Sequence, residues 1–413
     1  MPLLLLLSAL ISPVMVFGQS GVCKAEWCPK ILPPWPASWK QSQATITEPC
    51  NFSGLITSES ARGYAVVNVD WSNSRGVWAT GQPMNASEML VAQAQLLTSA
   101  NPGQRVWTYK NIVKALPWMR EVREKLENPL YSDWFLKFKE GGVFPNGSYH
   151  VPNCDTNYDP PLCSIFYHDQ EQTPEFPGQC ASPRCDCGQM PVGEYVYNHA
   201  NSSLRDWLIN DYLIGPTGVS NSTGISGVYL DDQWSNFSSS VDAPDCASSP
   251  IGGPTEENSF CVVDMGLSQA DTTAIYNGWK DTMIAAAYAL VKAGGFSWAF
   301  TTEIGVVKKG AVCESFYKEN ATQLYNKPLI VTVTTPTAMD ELAFFLTIRG
   351  PYAWIGYGWR GCEPPPPLPQ NLTVEFGEPL NNFTFSGNVA TREWTLATAS
   401  FDCTTGHGNV VMK

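Results

Sequence analysis

Ile225-Ser-Gly-Val-Tyr-Leu-Asp231-Asp232 is the stretch on which the fold turns: a short apolar run that stops abruptly at two carboxylates. Seven other runs share this form, ending in polar or aromatic residues: Tyr64 to Trp71, Arg105 to Asn111, Leu162 to Tyr167, Glu194 to His199, Phe296 to Glu303, Pro328 to Thr334 and Pro351 to Trp359. Segments of helical period lie between them. Leu116, Met119, Val122 and Leu126 recur as a helix face within 112–138, and Leu204, Leu208 and Tyr212 do so after an N-cap at Ser202 or Ser203. Ile275, Trp279, Met283, Ala286 and Leu290 form one stripe of a long helix over 268–293. Eight strands alternating with helices over about three hundred residues predict an α/β fold, a (β/α)8 TIM barrel with disulfide-stapled loop insertions, rather than an open doubly wound sheet. The usual reason for the open sheet is missing, since no Gly-x-Gly-x-x-Gly or Walker-type loop follows any of these strands.

Composition supports a large core and narrows the partners. Of the 413 residues, 44% are hydrophobic and only 15% charged. Lys and Arg number 25 against 38 Asp and Glu, a net charge of -13 that repels nucleic acid and anionic lipid surfaces, so neither is an expected partner.

The chain begins with a mostly apolar run, Leu3 to Val16, that ends at Val16-Phe17-Gly18. This is shorter than the ~20 residues of a membrane span and reads as a cleaved signal peptide over 1–18, although its first residues carry no Lys or Arg. An uncleaved anchor or a different start is the alternative. Thirteen Cys lie downstream, clustered at Cys23/Cys28/Cys50 and at Cys154/Cys163/Cys180/Cys185/Cys187 in loop-like sequence, and the odd count leaves at least one unpaired. Asn-x-Ser/Thr acceptors occur at Asn51, Asn85, Asn146, Asn201, Asn221, Asn236, Asn320, Asn371 and Asn382. Together these predict a disulfide-bonded glycoprotein secreted to the extracellular space. Structural zinc is disfavoured because Cys185-Asp-Cys187 lacks the Cys-x2-Cys spacing, and no metal or cofactor is expected. Residues 19–60 read as an N-terminal extension, 61–362 as the barrel, and 363–413 as a Pro-rich loop (Glu363 to Gln370) followed by a β segment packed on the barrel.

Barrel chemistry sits at the carboxyl-terminal ends of the strands, which makes Asp70, Asp169, Glu171, Asp231, Asp232 and Glu303 the candidate acids. If Val228 and Leu230 face the helices, the two-residue period turns Tyr229 and Asp231 toward the barrel axis and leaves Asp232 facing outward or into the loop. Two Asp after a strand also serve simply to cap a turn. His168-Asp-Gln-Glu171 places a second acidic group after a strand, so Asp169 or Glu171 could face Asp231 as the protonated partner that glycosidic cleavage needs; a solvated loop is the alternative. Sugar rings stack on aromatic planes, and the strand ends carry Trp71, Tyr197, Tyr229, Trp234, Tyr357 and Trp359. With His168, His199 and Asp70 these form the expected substrate-binding set. No Gly-x-Ser-x-Gly elbow or His-Glu-x-x-His motif is present, and the acids could instead hold Ca²⁺.

Gly227-Val-Tyr-Leu-Asp231-Asp232, Asn198 with Arg205-Asp-Trp207, Arg349-Gly-Pro-Tyr-Ala-Trp-Ile-Gly-Tyr-Gly-Trp359 and Thr391-Arg-Glu-Trp394 resemble the landmarks of a group of secreted, barrel-type glycoside hydrolases of algae and other protists. The resemblance spans about residues 60 to 400. It implies a TIM barrel acting on glycosides, with Asp231 as nucleophile or charge stabiliser, and it fixes no second acid. Gln233 and Trp234 depart from the Asp-x-x-Asp-x-Asp-x-Glu pattern of chitinase-like barrels. Two functions follow as expectations: a secreted glycoside hydrolase with a carbohydrate substrate, or a non-catalytic carbohydrate-binding or extracellular-matrix glycoprotein on the same scaffold.

Overall fold

The computed structural model describes residues 27–40, 44–81, 83–136, 167–168, 193–234, 267–333 and 338–413. Eight strands form one sheet: β1 (Ala44–Thr47), β2 (Val66–Val69), β3 (Arg105–Asn111), β4 (Ile225–Asp231), β5 (Phe296–Ser297), β6 (Thr302–Gly305), β7 (Leu329–Thr332) and β8 (Ala353–Trp359). Their spatial order is β5-β4-β3-β2-β1-β8-β7-β6, and every pairing is parallel. Chain order therefore runs cyclically through the sheet, with its one break between β5 and β6.

That break lies between neighbours in the chain. Trp298–Phe300 is a single 3-10 turn, begun by Ser297 Oγ accepting from Ala299 N–H. Fully extended chain from Ser297 to Thr302 spans at most roughly 18 Å. A flat sheet of this size would hold its edges roughly 34 Å apart at ~4.8 Å per strand, so the sheet is curled.

Both faces of the sheet are covered, as parallel strands require. All four residues of β1 and of β2 are buried. Strand alternation separates an inner face, carrying Asn68, Trp107, Tyr109, Asn111, Tyr229 and Asp231, from an outer face carrying Val67, Val69, Thr108, Val228 and Leu230. Helices α1 (Ala86–Ala100), α2 (Arg120–Leu126) and α4 (Gln269–Lys292) flank the outer face, while α3 (Ser202–Trp207) packs on α4. Ser268 and Asp271 close a capping box on α4, and Asn201 caps α3 by accepting from Ser203 and Leu204 N–H. The long helix matches the sequence reading; the α3 cap falls one residue earlier, on Asn201.

The outer face also buries a charge. Lys110, 1% exposed, reaches Glu121 of α2 at 2.7 Å and lies 4.2 Å from the Tyr212 ring centroid. Burial alone would raise the Glu121 carboxyl, but the Lys110 charge and hydrogen bonds from Lys110 and Ser87 outweigh it and hold the group at about 2.

Three expected strands are corrected. The first sheet strand is Ala44–Thr47, inside the segment read as an extension, because its Thr residues break the apolar run while Ala44 and Ile46 are fully buried. Gly193–Val196 leaves the main sheet and pairs antiparallel with Lys114–Ala115 and with Tyr167–His168 in a separate three-stranded sheet. Residues 162–166 lie outside the described residues. Phe296 to Glu303 is two strands at opposite edges of the sheet, split by the Trp298 turn.

The segment 27–40 does wrap the sheet, at the amino-terminal ends of the strands. Trp35 donates its Nε1–H to Gly294 O at 2.8 Å, accepts from Tyr352 Oη at its own carbonyl, and lies beneath the Arg105 guanidinium at 4.6 Å. An antiparallel sheet of β9 (Thr384–Ser386), β10 (Val389–Glu393), β11 (Ala397–Asp402) and β12 (His407–Met412) forms the expected C-terminal β extension and packs on α6 (Met339–Ile348). Cys313 of α5 (Ala311–Ser315) bonds Cys403 after β11, and Cys50 after β1 bonds Cys362 after β8. The cysteines of the 154–187 cluster lie outside the described residues. Among the described residues no helix is long and apolar enough to cross a membrane.

Gly227 exposes how tightly the inner face is filled. A Cβ there would meet the Trp107 ring at 2.6 Å and the Phe296 carbonyl oxygen at 2.7 Å. Gly227→Ala is therefore expected to destabilise the fold by about 1–3 kcal/mol. Gly54→Ala, where a Cβ meets nothing within 4 Å, is the control; equal thermal midpoints for the two variants would contradict this packing.

Candidate active site

Because every strand of the sheet is parallel, the residues that follow β1, β2 and β4 converge on one rim. Glu48 follows β1, Asp70 follows β2 and Asp231 ends β4. The β1–β8 pairing slips between Ile46 and Thr47, and Glu48 then takes a left-handed φ of 54°. A bulge followed by a left-handed residue bends the chain end inward and stores strain of order 1 kcal/mol, as rim and active-site positions commonly do.

Glu48 is 1% exposed and hydrogen-bonded to Asp70. Burial, then the Asp70 charge and hydrogen bond, then the Asp231 charge push the Glu48 carboxyl well above the ordinary carboxylate range. Asp70 accepts at Oδ1 from Ser72 N–H at 2.6 Å and also from Ser72 Oγ–H, the local turn that Asp-x-Ser favours.

The two acids that end β4 have separate environments. Asp231 is half-buried and accepts at Oδ2 from Tyr109 Oη at 2.7 Å. Asp232, at φ 59°, is buried, accepts from Asn111 Nδ2 at 2.5 Å and pairs with Lys114 Nζ at 3.1 Å. Asn111 binds the two arrangements together: its Nδ2 also donates to Tyr109 Oη at 3.0 Å, and its Oδ1 accepts from Val113 and Lys114 N–H.

Tyr229 is the hub of the inner face. Its ring stacks on Trp298 at 4.3 Å and on Tyr109 at 6.2 Å. Burial raises its phenol well above the ordinary tyrosine value, and the charges of Asp231, Glu48, Glu303 and Asp70 raise it further. Four carboxyl groups from four strands or strand ends thus act on one ring. Glu303, on β6, is half-buried.

The expected aromatic rim is present in part. Trp71 is half-buried against Trp118 at 4.9 Å with the Arg75 guanidinium 5.1 Å away, Tyr357 is half-buried beneath Arg360, and Trp359 is 72% exposed. Trp234 is 4% exposed. Tyr197 and His199, expected to contact ligand, are fully buried. Tyr197 stacks on Phe135 at 5.8 Å; His199 donates Nε2–H to the Ile112 carbonyl and has Nδ1 3.0 Å from Thr282 Oγ. Both follow Gly193–Val196, the strand that departs from the main sheet, so their distance from the rim has the same cause. Asp169 and Glu171 lie outside the described residues, as does the His168 side chain.

Glu48, Tyr109, Asn111 and Lys114 went unrecognised in the sequence. Glu48 follows a strand that the sequence pattern hides. Tyr109 and Asn111 share the alternation that exposes Tyr229 and Asp231, a signal present in Arg105 to Asn111. Among the described residues no cluster of three His, Cys, Asp or Glu side chains could hold a metal. Neither the family models nor the curated proteins compared with this chain match it.

Burial pushes His199 down to about 4, with the Ile112 hydrogen bond opposing and the Arg205 charge assisting. The folded state then refuses a proton that the unfolded chain accepts below about 6.5. Stability from this group is complete above that pH and declines by about 3 kcal/mol as pH falls toward 4. Denaturant melts of wild type and His199→Gln across this window are expected to show a shallower acid decline in the variant; parallel curves would contradict the burial of a neutral imidazole.

Proposed function

We propose that this chain is a secreted glycoside hydrolase that cleaves O-glycosidic bonds of an oligo- or polysaccharide. The observation that carries the reading is that four carboxyls, Glu48, Asp70, Asp231 and Glu303, act on the one buried phenol of Tyr229, three of them at the carboxyl-terminal ends of strands, with Trp71, Tyr357 and Trp359 partly open. Glycosidic cleavage needs one un-ionised acid and one carboxylate in a single site. A buried, raised Glu48 and a half-buried Asp231 held by Tyr109 supply that contrast. Asp231 acts as nucleophile or base, and the tyrosine hydroxyl fixes its oxygen toward the sugar.

The scaffold belongs to the same proposal. The cyclic strand order and the four-residue link between the edge strands support a (β/α)8 barrel, with β5 and β6 meeting where the sheet is open to hydrogen bonding. Disulfides at Cys50–Cys362 and Cys313–Cys403 fit an oxidising compartment. Asn221, Asn320 and Asn382 are exposed and suited to carry glycans. The resemblance to secreted hydrolases of algae and other protists points the same way.

A panel of algal and fungal polysaccharides, assayed for released reducing ends, tests the function. Asp231→Asn keeps an acceptor for Tyr109 Oη, so it is expected to lower kcat/KM by roughly 10²–10⁴-fold at an unchanged thermal midpoint. Full activity in that variant removes Asp231 from the mechanism. Sugar binding by wild type without any cleavage would favour a carbohydrate-binding glycoprotein instead.

A further inference from the structure

We propose that Glu48 and Asp70 hold one proton between them and together form the proton donor of this site, with Asp70 as the member nearer the rim and Glu48 behind it. The inference rests on the hydrolase reading and gives the un-ionised acid of that reading its partner and its role.

The geometry begins with two carboxyl groups in hydrogen-bond contact while 1% and 8% exposed. Two ionised carboxylates repel at that distance, and little solvent is present to screen them; a shared proton turns the repulsion into a hydrogen bond. Among the described residues the charges acting on Glu48 are those of Asp70 and Asp231, while the two buried ammonium groups pair with other acids, Lys110 with Glu121 on the outer face and Lys114 with Asp232. Glu121 sits beside a lysine and is driven down, whereas Glu48 sits beside acids and is driven up.

A second observation points from the pair toward a bound molecule. Among the described residues buried Glu48 Oε1 has no hydrogen-bond partner. Asn68, two residues before Asp70 on the same face of β2, is 2% exposed, and among the described residues neither its Oδ1 nor its Nδ2 has a partner. Buried amides and carboxyls are seldom left so, and ordered water is their usual partner.

The step balances without a co-reactant other than water. The pair transfers its proton to the glycosidic oxygen as the carbon–oxygen bond breaks, and that bond's electron pair stays on the departing oxygen, which leaves as an alcohol. Asp231 stabilises or captures the sugar carbon. Water then adds to that carbon, releasing Asp231 if it was bonded, and the water's second proton returns to the Glu48–Asp70 pair.

Two measurements test this, one of them independent of activity. Infrared spectra of wild type at neutral pH are expected to contain the carbonyl stretch of an un-ionised carboxylic acid that Glu48→Gln lacks. In the assay, Glu48→Gln is expected to slow an unactivated glycoside by roughly 10²–10⁴-fold while sparing an aryl glycoside whose phenolate departs unprotonated. Asp70→Asn is expected to show the same selectivity and stands in should Glu48→Gln not fold. Equal losses on both substrates overturn the donor assignment. So does the same selective loss in Asp169→Asn or Glu171→Gln with none in Glu48→Gln. An absent carbonyl band overturns the shared proton, and a thermal midpoint raised by Ca²⁺ and lowered by a chelator would show a cation in its place. A band without cleavage of any glycoside removes the hydrolase reading and the donor role with it, leaving the shared proton standing.

Discussion

The parallel direction of all eight strands is the constraint on which everything else depends. Except across the Trp298 turn, crossovers join the successive parallel strands, and their helices cover the outer face of the curled sheet. Glu48, Asp70 and Asp231 stand where strands end, while Asn68, Thr108 and Lys110 are polar residues buried within strands. Because every strand ends on the same side, residues far apart in sequence meet there: Glu48, Asp70 and Asp231 follow or finish three different strands yet act on a single tyrosine. The opposite rim is occupied by Trp35, held by Gly294, Tyr352 and Arg105.

The two faces of the sheet handle buried charge in opposite ways. On the outer face Lys110 and Glu121 neutralise each other, and Ser87 and Thr217 complete the hydrogen bonding. Removing one partner of such a pair typically costs about 3–5 kcal/mol, so the network reads as structural. On the inner face Glu48, Asp70, Asp231 and Glu303 gather about Tyr229, and among the described residues polar atoms of Glu48 and Asn68 have no hydrogen-bond partner. Buried acids driven above their ordinary range, as Glu48 is, cluster at functional sites.

Much of the sheet was legible because burial on both faces produces compact apolar runs. Arg105 to Asn111, Ile225 to Asp232, Pro328 to Thr334 and Pro351 to Trp359 each contain a sheet strand. The same logic failed where side chains on the inner face are polar. Ala-Thr-Ile-Thr47 has only two apolar residues, and its burial comes from neighbours on both sides that no local pattern reveals. Conversely, Glu194 to His199 has strand-like composition but pairs antiparallel outside the main sheet, where Tyr197 and His199 become core. Period-two alternation placed Tyr229 and Asp231 on the inner face correctly because it concerns one strand alone. The identity of the residues facing them depends on register between strands, which is a property of the assembled sheet.

Asp231 and Asp232 show how register turns adjacent, chemically identical residues into different groups. Asn111 lies opposite Asp231 in the β3–β4 pairing, and Tyr109 lies opposite Tyr229. From that position Asn111 can reach both Tyr109 Oη and Asp232, so one amide orients the donor to Asp231 and helps bury Asp232 against Lys114. The left-handed turn at Asp232 is what sends the second carboxylate away from the first. Had the strand continued extended, the next side chain would face the helices, away from Asn111 and Lys114. The strain at Asp232 is therefore tied to the orientation of Asp231: a paired ion on one side of the strand end holds the backbone so that the other acid remains at the rim.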